Sequence, residues 1–177
     1  MFYKPYTTSR LKNIITIVFF ITTAIVFSAC GPYTFKDVSI PPEVKTIKIN
    51  FIENRAPYKN PQLSARITDQ LQQKVANLTR RTVTQSDNAD YIISGYINSY
   101  NVSTAAISGQ QAAANRLTVG LTMTLFNTLE NKSTDYQVSR DFDFSAGLTL
   151  SQAEAQLLDD IVKNVTEEIF NRLFSNW

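Results

Sequence analysis

The chain has no histidine and a single cysteine among its 177 residues. The missing imidazole removes the most frequent general base, and hydrolase triads are left with none to use. The lone thiol, Cys30, allows neither an internal disulfide framework nor a cluster of soft-metal ligands. Glycine is equally scarce, with five residues and none in a phosphate-loop pattern, so nucleotide binding has no support. Asp141 and Asp143 fall on one strand face, yet two carboxylates are far fewer than the about six to eight oxygen ligands that calcium takes. The sequence therefore predicts no catalytic residue, no metal and no cofactor.

What is present begins at the N-terminus. Lys4, Arg10 and Lys12 precede a run from Ile14 to Phe27 that is apolar apart from Thr16, Thr22 and Thr23, and the run ends at Ser28-Ala29-Cys30. This is the pattern of a secretory signal closing on small residues. The run is shorter than the roughly 20 residues of a spanning helix, and Gly31-Pro32 ends it. We expect residues 1–29 to be a signal peptide of the lipoprotein type, with Cys30 as the acylated new N-terminus. A buried free cysteine beside an ordinary cleavage site is the alternative. Residues 30–43, with three prolines, read as a lipidated tether, and residues 44–177 as one domain.

Residues 30–177 number 148 and keep 14 of the 17 basic and all 15 acidic side chains, a net charge of −1. The basic balance of the full chain is thus partly the signal, and nothing favours nucleic acid. An anionic partner would have to meet a local basic patch. The candidates are the adjacent Arg80 and Arg81, with Arg116, Lys132 and Arg140, because guanidinium forks and ammonium groups suit phosphate. Arg80 and Arg81 should straddle the two faces of a strand. Arg140 is odd in another way, lying on the face of its strand shared by Tyr136, Val138, Phe142 and Phe144; it could pair with a carboxylate there.

Periodicity gives the fold. Ile47, Ile49 and Phe51 alternate with polar residues, predicting a half-buried strand from Val44. Asn60-Pro61 suggests a helix start, and Leu63, Ile67, Leu71, Val75 and Leu78 draw one apolar stripe. A short strand follows over 80–85. Tyr91–Val102 alternates, with Gly95 marking a bulge or a close backbone approach. Thr104–Asn115, without charge and rich in alanine, reads as a long mobile hairpin loop. Strands then run from Leu117 to Phe126 and from Tyr136 to Phe144. A second helix opens at Thr149 or Ser151, with Glu154 three residues after Ser151 as in a capping box. The economical fold is α+β: a two-layer sandwich of two amphipathic helices on one face of a mixed four- to five-stranded sheet. Its other face would carry Thr, Ser, Asn and Tyr.

These segments also carry a family resemblance. Tyr33-Thr34-Phe35, Ser39-Ile40-Pro41-Pro42 and Val44-Lys45-Thr46-Ile47 resemble the start of the LptE family of lipopolysaccharide-assembly lipoproteins, in the form found in Bacteroidetes-type bacteria. So do Asn60-Pro61-Gln62-Leu63-Ser64, Ala89-Asp90-Tyr91 with Gly95-Tyr96-Ile97, Asn115-Arg116-Leu117-Thr118, and Ile169-Phe170-Asn171 with Trp177. No single motif is catalytic; the likeness lies in their order and spacing over nearly all of residues 30–177.

The resemblance implies a non-enzymatic lipoprotein on the inner leaflet of the outer membrane, facing the periplasm. It would sit as a plug in the LptD β-barrel, bind lipopolysaccharide through a few basic side chains, and assist its insertion into the outer leaflet. The lack of an acidic run after Cys30 agrees with retention on the periplasmic side. Two rivals share parts of the pattern: a CsgG-like secretion protein or LpoB-like synthase activator, which also show an Ala-Asp-Tyr strand start, and an enzyme, which the missing histidine and thiol disfavour.

Overall fold

The computed structural model describes residues 40–108 and 111–175. The expected signal peptide, Cys30, the tether up to residue 39, and Trp177 lie outside them. Along the described chain run β1 (Thr46–Ile49), β2 (Glu53–Asn54), α1 (Leu63–Thr79), β3 (Thr82–Thr84), β4 (Tyr91–Ser108), β5 (Gln111–Asn127), β6 (Lys132–Ser145) and α2 (Leu150–Phe174). The strands form one mixed sheet in the order β3-β1-β4-β5-β6, with β2 also paired to β4. Strand β1 is parallel to β3 and β4, whereas β4, β5 and β6 are antiparallel. The two helices pack against each other and on one sheet face, as the alternation predicts.

Six strands form where four or five were expected, because the first one breaks. Ile47 and Ile49 are buried, but Phe51 turns outward and is 58% exposed, while Ile52 is buried. The apolar pattern slips by one residue there, and the Ile52 N–H donates to Thr68 Oγ1 of α1 at 3.1 Å. The chain then resumes pairing as the two-residue β2, farther along β4.

Helix α1 starts later than Asn60-Pro61 suggests, since Asn60 is used elsewhere. Its Oδ1 accepts from the Gln62 N–H, closing a turn ahead of the helix. The stripe of Leu63, Ile67, Leu71 and Val75 is fully buried, whereas Leu78 is 43% exposed beyond the sheet's cover. Helix α2 opens at Thr149, whose capping box is completed by Gln152 and not by Glu154. Ile161, Val165 and Ile169 then lie wholly inside the core.

The expected mobile loop at 104–115 is instead the upper part of a hairpin. Strands β4 and β5 stay paired to Ser108↔Gln111, through Thr104↔Asn115 and Ala106↔Ala114. Small side chains without charge are weak strand formers by propensity, and here the ladder grown from the buried rungs below carries them. These outer rungs add no core: Ile107 is 72% exposed.

Gly95 is a close approach and not the bulge. A Cβ there would sit 2.8 Å from the Thr122 carbonyl oxygen and against the Met123 side chain. The bulge falls three residues on, where Ile97↔Leu121 is followed by Ser99↔Gly120 and Asn98 is left over. An extra residue reverses the alternation beyond it. Strict alternation from Tyr91 would put Tyr100 with Tyr96 on the open face; beyond the bulge it turns to the helices and is buried.

Candidate functional site

The sheet face away from the helices is a ladder of hydroxyls and carboxylates. Thr118 donates to Asp141 at 2.7 Å, Thr124 to Asp135 at 2.7 Å, and Asn98 to Thr122 at 2.8 Å. Arg116 grips Asp143 with two bonds, Nε to Oδ1 at 2.7 Å and Nη2 to Oδ2 at 3.0 Å. That fork holds the Asp143 carboxyl below its ordinary range and the Arg116 guanidinium above its own. Asp141 and Asp143 thus face an arginine, not a cation vacancy. Nearer the other edge, Arg55 stacks 4.4 Å over the Tyr96 ring.

The five cations named from sequence do not converge. Arg116 pairs across the ladder with Asp143, and Lys132 with Asn127, eleven rungs away, about 36 Å along the strands. Arg140 lies on the helix-facing side of β6 and reaches Glu168 of α2 at 2.5 Å, a carboxylate shared with Arg172 at 2.9 Å. Arg116 and Arg140 are therefore already neutralised. Among the described residues no carboxylate pairs with Arg80, Arg81 or Lys132.

Those three occupy one end of the sheet. Lys132, Asn127, Tyr91, Ile47 and Val83 form a single rung across five strands, and Arg81 stands two residues before Val83. Arg80 takes a left-handed conformation, φ 56°, that closes α1. Arg81 points Nη2 at the Pro41 carbonyl, 3.4 Å away, and its Nε is buried with no partner among the described residues. Four strand spacings put Arg81 and Lys132 about 19 Å apart, so they flank a surface and do not share a pocket. Lys132 does line a cavity with Tyr91, Leu125, Asn127, Glu130 and Thr134, but its volume is only about 130 Å³. Small-molecule pockets start near about 300 Å³.

Sequence reasoning missed one built cluster. Glu154, assigned to a helix cap, is buried and accepts from Tyr100 Oη at 2.7 Å, Asn60 Nδ2 at 3.0 Å and Tyr58 Oη at 2.9 Å. Tyr58 and Tyr100 stack with ring centroids 5.4 Å apart. Burial first, and then the bond to Glu154, pushes the Tyr100 phenol above its ordinary value. The bond to Glu154 leads in raising Tyr58. The available signal was helical spacing: Glu154, Leu158, Ile161 and Val165 follow one stripe. The cluster ties the loop before α1, the β4 strand just past its bulge and the second turn of α2 together. Its three donors satisfy both oxygens of a buried carboxylate, so the cluster locks the fold.

The described residues thus make an α+β domain that offers surfaces and edges rather than a pocket. Among them no group of three or more His, Cys, Asp or Glu could hold a metal ion. Residues 44–173 match the LptE family, described as lipopolysaccharide-assembly, and the chain belongs to that family. No curated protein matches it in sequence. Among solved structures it is similar to a putative neuraminyllactose-binding hemagglutinin homolog from Helicobacter pylori, at 12% identity and TM-score 0.53, covering 80% of this chain and 89% of that one. It is also similar to the rare lipoprotein B of Shewanella oneidensis, at 12% identity and TM-score 0.49, covering 73% and 90%. A third is the PelC dodecamer of Paraburkholderia phytofirmans, at 12% identity and TM-score 0.47, covering 80% and 94%. At such identities the Helicobacter protein speaks to the fold alone, and the other two carry no argument.

Proposed function

We propose that this chain is a non-enzymatic lipoprotein subunit of the outer-membrane lipopolysaccharide translocon, partnering the LptD β-barrel and assisting lipopolysaccharide insertion. The observation that carries this reading is the family match over residues 44–173. It favours LptE over a CsgG-like or LpoB-like lipoprotein. The polar open sheet face supports it too, because the lumen of a transmembrane barrel is itself polar. Acylation at Cys30 would hold the domain on the periplasmic side of the outer membrane, since more than one acyl chain is needed for durable anchoring.

Lipopolysaccharide presents phosphates. Arg80, Arg81 and Lys132, which no carboxylate among the described residues neutralises, are better placed to meet them than Arg116 or Arg140. Affinity purification of the membrane-extracted protein after crosslinking should recover an integral barrel as its stable partner. A ring of identical subunits, or a peptidoglycan synthase, in its place refutes the reading. Charge reversal at Arg80 together with Lys132 should weaken lipopolysaccharide binding at least about tenfold, and reversal at Arg116 should change it less. The opposite order would refute the residue assignment and leave the barrel partnership intact. Cys30→Ala should abolish acylation, read by mass spectrometry of the mature N-terminus.

A further inference from the structure

We propose that the outer edge of β6 accepts an added strand from a partner polypeptide that carries lysine or arginine at alternate positions. The two edges of the sheet are built differently. Strand β3 is three residues long, a blunted edge, whereas β6 runs for 14 residues from Lys132 to Ser145. Its register with β5 is unbroken from Asn127↔Lys132 to Ala114↔Ser145, so it has no bulge, and it has no proline. Among the described residues nothing pairs with its outer side. Natural proteins shorten, bulge or cover such edges because a row of free N–H and C=O groups templates another strand. Among the described residues β6 is neither shortened, bulged nor covered, and the one device it carries is charge.

The charges on β6 decide what it can take. Its open face carries Asp135, Asp141 and Asp143. Two antiparallel registers pair nearly the whole strand with a second copy of itself, one centred on Val138 and one on Ser139. The first sets Asp135 opposite Asp141, and the second sets Asp135 opposite Asp143. Like charges directly opposite are destabilising, so the edge is coded against its own kind. Of the two cations on the strand, Lys132 stands at its first residue, and Arg140 is turned to the helix side and spent on Glu168. Among the described residues Asp135 has no basic partner, and Asp141 has only Arg116 at the 4.0 Å limit. With Asp143 held by the Arg116 fork, an incoming strand with cations on that face would meet Asp135 and Asp141, six residues or about 20 Å apart along the edge. Main-chain bonds would supply affinity and the alternating charges specificity. The inference concerns this edge alone and does not rest on the lipopolysaccharide reading.

The test uses the full chain and three nine-residue peptides: one alternating threonine and lysine, one alternating threonine and glutamate, and the lysine peptide with proline in place of threonine. Hydrogen exchange at amides 132–145 is the readout. The threonine-lysine peptide should slow exchange there by about tenfold, and neither the glutamate nor the proline peptide should do so. Asp135→Asn with Asp141→Asn should lose the protection, and Asp135→Lys with Asp141→Lys should transfer it to the glutamate peptide. Equal protection by the lysine and glutamate peptides, protection by the proline peptide, or protection confined to another element would overturn the proposal.

Discussion

Tyr100 Oη donates to Glu154 Oε1 at 2.7 Å, joining β4 to the second turn of α2 across 54 residues of chain. The bond exists because the bulge at Asn98 turns Tyr100 inward. Tyr100→Phe keeps the ring and removes one donor from a buried carboxylate. A hydrogen bond to a charged group is worth about 1.5–3 kcal/mol, so the variant should lose about that much, or about 3–12 °C in Tm for a domain of this size. Tyr58→Phe should cost less, because Tyr58 is 42% exposed and water can replace its hydroxyl. Thermal melts of the two variants check this; equal losses would mean that the bond is not the source.

The same pair sets an alkaline limit. Both phenols are raised above their ordinary value, Tyr100 mainly by burial and Tyr58 mainly by its bond to Glu154. A raised folded value makes the stabilisation complete below the unfolded value, about pH 10, and progressively lost as pH climbs beyond it. Denaturant midpoints should therefore hold steady to about pH 9.5 and fall above pH 10. Tyr100→Phe should flatten that fall, and an unchanged slope would show that other groups cause it.

Two glycines that look alike in the sequence should respond differently to alanine. At Gly95 the new Cβ meets the Thr122 backbone carbonyl at 2.8 Å as well as the Met123 side chain, and a carbonyl in a ladder cannot step aside. Overpacking of this kind costs about 1–3 kcal/mol. At Gly120 the nearest atoms belong to the Ser99 and Asn98 side chains, which can rotate toward solvent. Gly120→Ala should cost well under 1 kcal/mol by comparison. Matched urea titrations decide the point, and a Gly120 variant as damaged as the Gly95 one would count against it.

Legibility in the sequence followed the strength of the local pattern. Leu117 to Leu125 alternates cleanly and is β5 as expected, and the buried stripes of both helices were legible because period and burial agree there. The break at Phe51 and the bulge at Asn98 were not legible. Each depends on a tertiary partner, Thr68 of α1 in one case and the register of β5 in the other. The outer hairpin was misread for a related reason: alanine and serine give no strand signal of their own. Site residues fared worse than elements. Residue type singled out five cations, but only the strand order and the faces separate Arg116 and Arg140, already paired, from Arg80, Arg81 and Lys132.

Asp90 offers the acid counterpart to Tyr100. Its Oδ2 accepts from the Lys45 and Thr46 backbone N–H groups at 2.8 and 2.9 Å and from Thr46 Oγ1 at 2.9 Å, fastening the start of β1 beside β4. The backbone bonds lead in holding this carboxyl below its ordinary value. A depressed folded value gives stability that is present above the unfolded value, about pH 4, and lost as pH falls through the folded one. Asp90→Ala should be weaker than the parent by about 1–3 kcal/mol at pH 7, and the gap should narrow below about pH 4 as the parent's carboxylate takes up its proton. Asp90→Asn, which keeps one accepting oxygen, should fall between them. Acid-unfolding curves of all three distinguish charge from shape: a gap that stays constant down to about pH 2.5 would mean that Asp90 acts through packing and not through its charge.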